Sequence, residues 1–169
     1  VPLIIGGSAY SIYPQALFDG LKADYGVIGE GEESLLNLIN GLEIGSDVSH
    51  LEGITVYRDS KFIINPHTKY VSSLNTNFDP SLISYYWKGS GMLNIQTKRG
   101  CPYHCIYCSY PIIDGRKVRT LDTDLIVENI KKLKKDEGVN YLFFTDSVFN
   151  IHNSYNIELA EKLIKSEVN

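Results

Sequence analysis

The chain has 169 residues, a formal net charge of −4 and 43% hydrophobic residues. The apolar share sustains a packed core and argues against disorder, and the negative balance argues against a nucleic-acid binder working through a broad basic face. No apolar run reaches the length needed to cross a bilayer.

Taken in order, Leu3-Ile4-Ile5 ending in Gly6-Gly7 reads as a short buried parallel strand. Pro14 opens a helix with Leu17, Phe18 and Leu21 on one face. Tyr25 to Ile28 is a second strand. Gly29-Glu30-Gly31-Glu32-Glu33 leads into a helix carrying Leu35, Leu36, Leu38 and Ile39. This rhythm of strand, helix, strand, helix is that of an open α/β sheet. Gly53 to Tyr57 and Lys61 to Ile64 form a hairpin around Asp59-Ser60. Val71 to Gly91 is polar, with Asp79-Pro80 and Gly89-Ser90-Gly91, and reads as a connection. Met92 to Thr97 is a strand that delivers a cysteine-bearing loop. Asp122 and Asp124 start a helix with the apolar face Ile126, Ile130 and Leu133. Val139 to Phe144 has the composition of a fully buried strand, and Asn156 to Ile164 is an amphipathic helix. The expected fold is α/β, with boundaries at 1–45, 46–91 and 92–169. The first residue is not Met and the last helix calls for a following strand, so both ends are expected to be cuts in a longer protein.

All three cysteines of the chain fall in Cys101-Pro-Tyr-His-Cys105-Ile-Tyr-Cys108. Three cysteines cannot all pair internally, and no sign of secretion supports a disulfide framework. A reducing, cytoplasmic setting suits clustered thiolates. Soft sulfur ligands on a loop with Gly100 and Pro102 suit iron–sulfur chemistry. Three thiolates on a 4Fe–4S cube leave one iron open to a small molecule, whereas an electron carrier would close the cube with a fourth cysteine. Structural zinc wants four ligands, usually from two paired motifs, and there is no second C-x-x-C. His104 lies inside the motif, and His50, His67 and His152 are isolated and read as surface or loop residues. An open iron–sulfur enzyme, a closed electron carrier completed from elsewhere, and a zinc-stapled interaction module are the three readings of these thiolates.

The stretch Thr97-Lys98-Arg99-Gly100-Cys101-Pro102-Tyr103-His104-Cys105-Ile106-Tyr107-Cys108 resembles the signature of the radical S-adenosylmethionine superfamily. The resemblance implies that Cys101, Cys105 and Cys108 ligate a 4Fe–4S cluster and that S-adenosylmethionine binds its open iron. It implies reductive cleavage to methionine and a 5′-deoxyadenosyl radical, which removes a hydrogen atom from substrate. It places Tyr107 near the adenine. Ile5-Gly6-Gly7 through Gly29-Glu30-Gly31-Glu32 is similar to the end of the cobalamin-binding domain that precedes the barrel in one subfamily. The implied fold is therefore the tail of a flavodoxin-like domain (1–45), a β-hairpin and linker (46–91), and the first βα units of a TIM-barrel-like radical domain (92–169). Gly6 and Gly7 would meet a cobalamin tail, and the implied activity extends to cobalamin-dependent methyl transfer.

The resemblance also implies an external electron donor such as flavodoxin or ferredoxin. The substrate, a small or lipid-like molecule, is not legible. The open sheet edge of a partial barrel is expected to favour self-association. Thr145-Asp146-Ser147-Val148-Phe149 follows the second barrel strand, where barrel sites are built. Asp146 there orients S-adenosylmethionine or substrate, or it satisfies free loop amides. Ser147 stands where the subfamily usually has a second acid. Glu30, Glu32 and Glu33 read as a helix start. Arg116 and Arg119 read as surface arginines with the option of meeting a carboxylate or phosphate.

Overall fold

The computed structural model describes residues 1–71 and 79–168. Two compact units emerge, one of Val1–Ser72 with Pro102–Arg116 and one of Ser73–Cys101 with Lys117–Asn169. Among the described residues no helix is long and apolar enough to cross a membrane.

The first unit is built on a sheet in the order β1-β2-β3-β4. Strand β1 (Ile4–Ile5) runs parallel to β2 (Tyr25–Val27). The hairpin of β3 (Ile54–Arg58) and β4 (Lys61–Ile64) joins antiparallel to β2. Its turn residues Asp59 and Ser60 both have positive φ, 49° and 60°, the backbone that matches the twist of paired strands. The hairpin expected within 46–91 thus extends the first sheet. Between β1 and β2 come α1 (Ser8–Ile12) and α2 (Pro14–Leu21), the latter with Pro14 at its first turn. After β2 comes α3 (Gly31–Glu43), with Glu32 and Glu33 at its positive end. Strand neighbours point to opposite faces: Ile4 packs with Val27, Leu38, Val48 and Ile54, whereas Ile5 packs with Tyr10, Phe18 and Ala23. The sheet is therefore covered on both faces. The face expected on α3 buries Leu38 fully but leaves Leu35, Leu36 and Ile39 exposed. Helix α1 escaped the sequence pattern because five residues are too few to show a helical period.

The second unit opens with α4 (Pro80–Ser90), a correction to the connection expected over 71–91. Asp79 caps it, accepting from the Ser81 amide at 2.8 Å, and Gly91 ends it in the left-handed region. Its apolar stripe is carried by Ile83 and Trp87, too sparse to register as periodicity. Residues 72–78 of the same expected connection lie outside the described residues. Strand β5 (Leu93–Ile95) runs parallel to β8 (Leu142–Phe144), with the short α5 (Tyr110–Ile113) and then α6 (Thr123–Glu137) between them in sequence. Asp122 caps α6, accepting from Asp124 and Leu125 amides at 2.8 and 3.1 Å. Helix α7 (Asn153–Lys165) follows β8. The core unites Leu93 and Ile95 of β5 with Ile126, Ile130 and Leu133 of α6 and Leu159 of α7. Strand β8 is not fully buried as expected. Leu142 and Phe144 face this core, and the intervening Phe143 is 52% exposed on the other side of the strand.

Candidate functional site

The C-terminal ends of β5 and β8 carry a polar cluster in which every group is held by another. The Thr145 amide donates to the Ile95 carbonyl at 2.9 Å, so the parallel ladder continues past the strands. One residue on, the Asp146 carboxylate accepts from the amides of Thr97 (2.6 Å) and Lys98 (2.9 Å) and from the Thr97 hydroxyl. Lys98 Nζ lies 3.2 Å from the same carboxylate, and the two side chains are 2% and 0% exposed. The ammonium also sits over the rings of Phe149 and Tyr155, 4.6 and 4.9 Å from their centroids, where ring quadrupoles favour a cation. Tyr155 donates its hydroxyl to the carbonyls of Leu121 (2.9 Å) and Thr97 (3.2 Å). Burial is the main cause that pushes this phenol up to about 12.

These bonds lock the strand that leads to the first cysteine. Beyond Thr97, β6 (Lys98–Arg99) pairs antiparallel with β7 (Arg119–Thr120). Gly100 then turns at φ 84°, a backbone that suits glycine, into the buried Cys101. Cys105 and Cys108 belong to the first unit, whereas Cys101 belongs to the second. Cys105 is exposed and Cys108 half-buried, and the Cys108 amide donates to the Cys105 carbonyl at 3.2 Å. All three thiols are free. Among the described residues no three His, Cys, Asp or Glu side chains already converge as a metal site. The donor set itself, three soft thiols and no competing disulfide, is one that iron–sulfur clusters take.

Other residues singled out in the sequence are dispersed. Tyr107 is 89% exposed. Arg116 donates to the Tyr103 carbonyl at 3.1 Å and so braces the cysteine loop, while Arg119 is part of β7. Glu30 is buried and accepts from the Val71 amide at 2.9 Å. His67 lies in a loop, as expected, with both ring nitrogens buried without hydrogen-bond partners and the ring edge-on against Tyr70. Gly6 and Gly7 line a cleft of about 390 Å³ with Val27, Gly29, Gly31 and Leu35. It lies at the C-terminal ends of the parallel strands β1 and β2, where open α/β sheets bind ligands.

Of the two roles open to Asp146, the structure favours the second, because its oxygens are engaged by Thr97 and Lys98 inside the protein. Sequence reasoning missed Lys98 and Tyr155. The available signal was a lysine at the end of one apolar strand and an aspartate at the end of the next, since parallel neighbours bring such ends together.

Comparison with known proteins finds a family match to part of the chain and relatives along most of it. A sequence model of the Radical SAM superfamily matches residues 95–168. Over 167 residues the chain is 22% identical to an uncharacterized methyltransferase of Pyrococcus horikoshii, covering 95% of this chain and 36% of that protein. It is 28% identical over 168 residues to the anaerobic magnesium-protoporphyrin IX monomethyl ester cyclase of Rubrivivax gelatinosus, covering 93% of this chain and 30% of the relative. The chain thus spans about a third of the length of these relatives. Its fold is similar to the radical S-adenosylmethionine methyltransferase TsrM of Kitasatospora setae, with a TM-score of 0.81 and 22% identity over 97% of this chain and 33% of that one. The cobalamin-dependent S-adenosylmethionine radical enzyme OxsB matches with a TM-score of 0.72 and 18% identity over 96% of this chain and 24% of that one. The cysteine motif lies inside the matched stretch, so residues 95–168, the three thiols included, are similar to the radical S-adenosylmethionine superfamily.

Proposed function

We propose that this chain is part of an enzyme that cleaves S-adenosylmethionine reductively to start radical chemistry, with Cys101, Cys105 and Cys108 holding a 4Fe–4S cluster. The observation that carries the reading is the donor set: three free thiols within eight residues and no fourth cysteine in the chain. Held by three thiolates, such a cluster supplies one electron and an iron open to the amino acid end of S-adenosylmethionine. The chain's own part is to deliver the thiols. Asp146, Thr97 and Lys98 fix the strand before Cys101, and Arg116 braces the loop around Tyr103. The exposed Tyr107 ring is available to stack on adenine.

The same reading assigns residues 1–45 to the end of a cobalamin-binding, flavodoxin-like domain and residues 92–169 to the first βα units of a barrel. The parallel β1–β2 pair with its glycine-lined cleft supports the first assignment. The β5–α6–β8 unit supports the second. At Gly6 an added Cβ would lie 3.3 Å from the Val27 carbonyl oxygen, so a side chain there would press on β2 at the floor of the cleft. An uncharged cleft of this kind suits the tail of cobalamin, and methyl transfer is the reaction this combination serves. Two similar solved structures, one of TsrM and one of OxsB, hold bound cobalamin, which supports the assignment. The electron would come from a small donor protein in a reducing cytoplasm.

Electron paramagnetic resonance tests the proposal on the intact protein, reconstituted anaerobically and reduced with dithionite. A 4Fe–4S signal that shifts on adding S-adenosylmethionine is expected. A signal indifferent to it would mean a closed electron carrier, and bound zinc without iron or sulfide would mean a structural staple. Cys105→Ser or Cys108→Ser should abolish the shift.

A further inference from the structure

The network around Lys98 is more elaborate than a strand end needs. A buried ammonium and a buried carboxylate are costly to desolvate, and an apolar pair would pack at least as well. Here both are enclosed, together with the Thr97 hydroxyl and two aromatic faces. What they hold in common is the backbone of Thr97 and Lys98. The Thr97 amide, hydroxyl and carbonyl are each engaged, by Asp146, by Asp146 and Lys98, and by Tyr155 with the Leu121 amide. Cys101 follows Thr97 by four residues, after a two-residue strand and a glycine turn. No segment in between could absorb a shift of Thr97.

We propose that Asp146, Lys98 and Tyr155 are positioning residues that set the placement of the Cys101 thiolate, and through it how firmly the cluster is held. The inference rests on the cluster reading above and extends it to three residues outside the cysteine motif. The physical logic is that of outer-shell support. Ligands orient well only when the groups behind them are fixed, and losing such a group typically lowers metal affinity about 10- to 100-fold. The ion pair serves where an apolar pair would not, because only a carboxylate accepts two amides, a hydroxyl and an ammonium at once. Of the two roles weighed for Asp146, the proposal develops the second, satisfying loop amides, and gives it a consequence at Cys101.

The test uses the intact protein with reconstituted iron and sulfide, comparing wild type with Tyr155→Phe, Thr97→Val and Asp146→Asn. Readouts are iron per chain, the rate of iron loss to a chelator, the reduced-cluster resonance and circular dichroism of the apoprotein. Tyr155→Phe and Thr97→Val remove single hydroxyls and are expected to retain the apoprotein spectrum. They should nonetheless lose iron about tenfold faster than wild type, with a broadened or shifted resonance. Asp146→Asn should show the larger effect, and the pairing of Lys98→Met with Asp146→Asn should recover part of it by removing the unpaired charge. If the two hydroxyl variants fold and hold iron with wild-type rates and resonance, the positioning role is overturned even if Asp146→Asn fails to fold. A wild-type protein that takes up no cluster would instead overturn the reading on which this one rests, so the two failures are distinguishable.

Discussion

Replacing Ile130 by alanine should destabilise the second unit by about 3 kcal/mol. The side chain is 3% exposed and sits on α6 among Ile126, Leu133 and the apolar residues of β5 and α7. The change deletes three carbons, each worth ~0.8 kcal/mol of transfer free energy, or about 2.4 kcal/mol together. The remainder is the cavity left where neighbours on rigid elements cannot close in, and buried Ile→Ala changes span about 2–5 kcal/mol. Ile130→Val should cost only about 1 kcal/mol. Leu82→Ala, at a position 57% exposed on the neighbouring α4, should cost well under 1 kcal/mol. The single tryptophan of the chain, Trp87, packs against the same core, so its fluorescence in a urea titration reports this unit. A loss below about 1 kcal/mol for Ile130→Ala, or equal losses at Ile130 and Leu82, would refute the seating of α6 on the β5–β8 pair.

Two further outcomes follow from local geometry. A methyl group at Gly26 would collide with the Tyr10 hydroxyl and the Thr55 hydroxyl, which bond to each other in the core of the first unit. Gly26→Ala should therefore cost about 1–3 kcal/mol, and adding Tyr10→Ala should cost less than the sum of the two changes in a double-mutant cycle. Glu52 accepts from the Thr68 hydroxyl and the Thr68 and Lys69 amides, with the Thr68 hydroxyl the leading cause, and its carboxyl is lowered from 4.5 to about 2. Because the folded value is the lower one, the stabilisation is present above about pH 4.5 and is lost as pH falls towards 2. Side-chain resonances of Glu52 should titrate in that window, together with faster exchange of the Thr68 and Lys69 amides; a midpoint near 4.5 would show the bonds absent.

What the sequence determined by itself was the chemistry and the local punctuation. Three cysteines in one short motif define a soft donor set wherever they fold. Asp122 before an apolar stripe, Pro14 at a helix start and Asp59-Ser60 between two alternating runs specify caps and turns through bonds to neighbours in the chain, so they needed no tertiary context. Helix α4 was missed because its burial rests on Ile83 and Trp87 meeting α6 and β5, partners distant in sequence. The exposed Phe143 was missed for the same reason, since composition cannot say which face of a strand finds a partner. The hairpin's attachment to β2 and the Lys98–Asp146–Tyr155 network likewise belong to tertiary structure alone. Asp146 lies 48 residues from Lys98, and only the parallel pairing of β5 with β8 brings the two strand ends together. Burial then turns two ordinary surface residue types into a fixed ion pair, because in a water-excluded site neither charge can remain without the other.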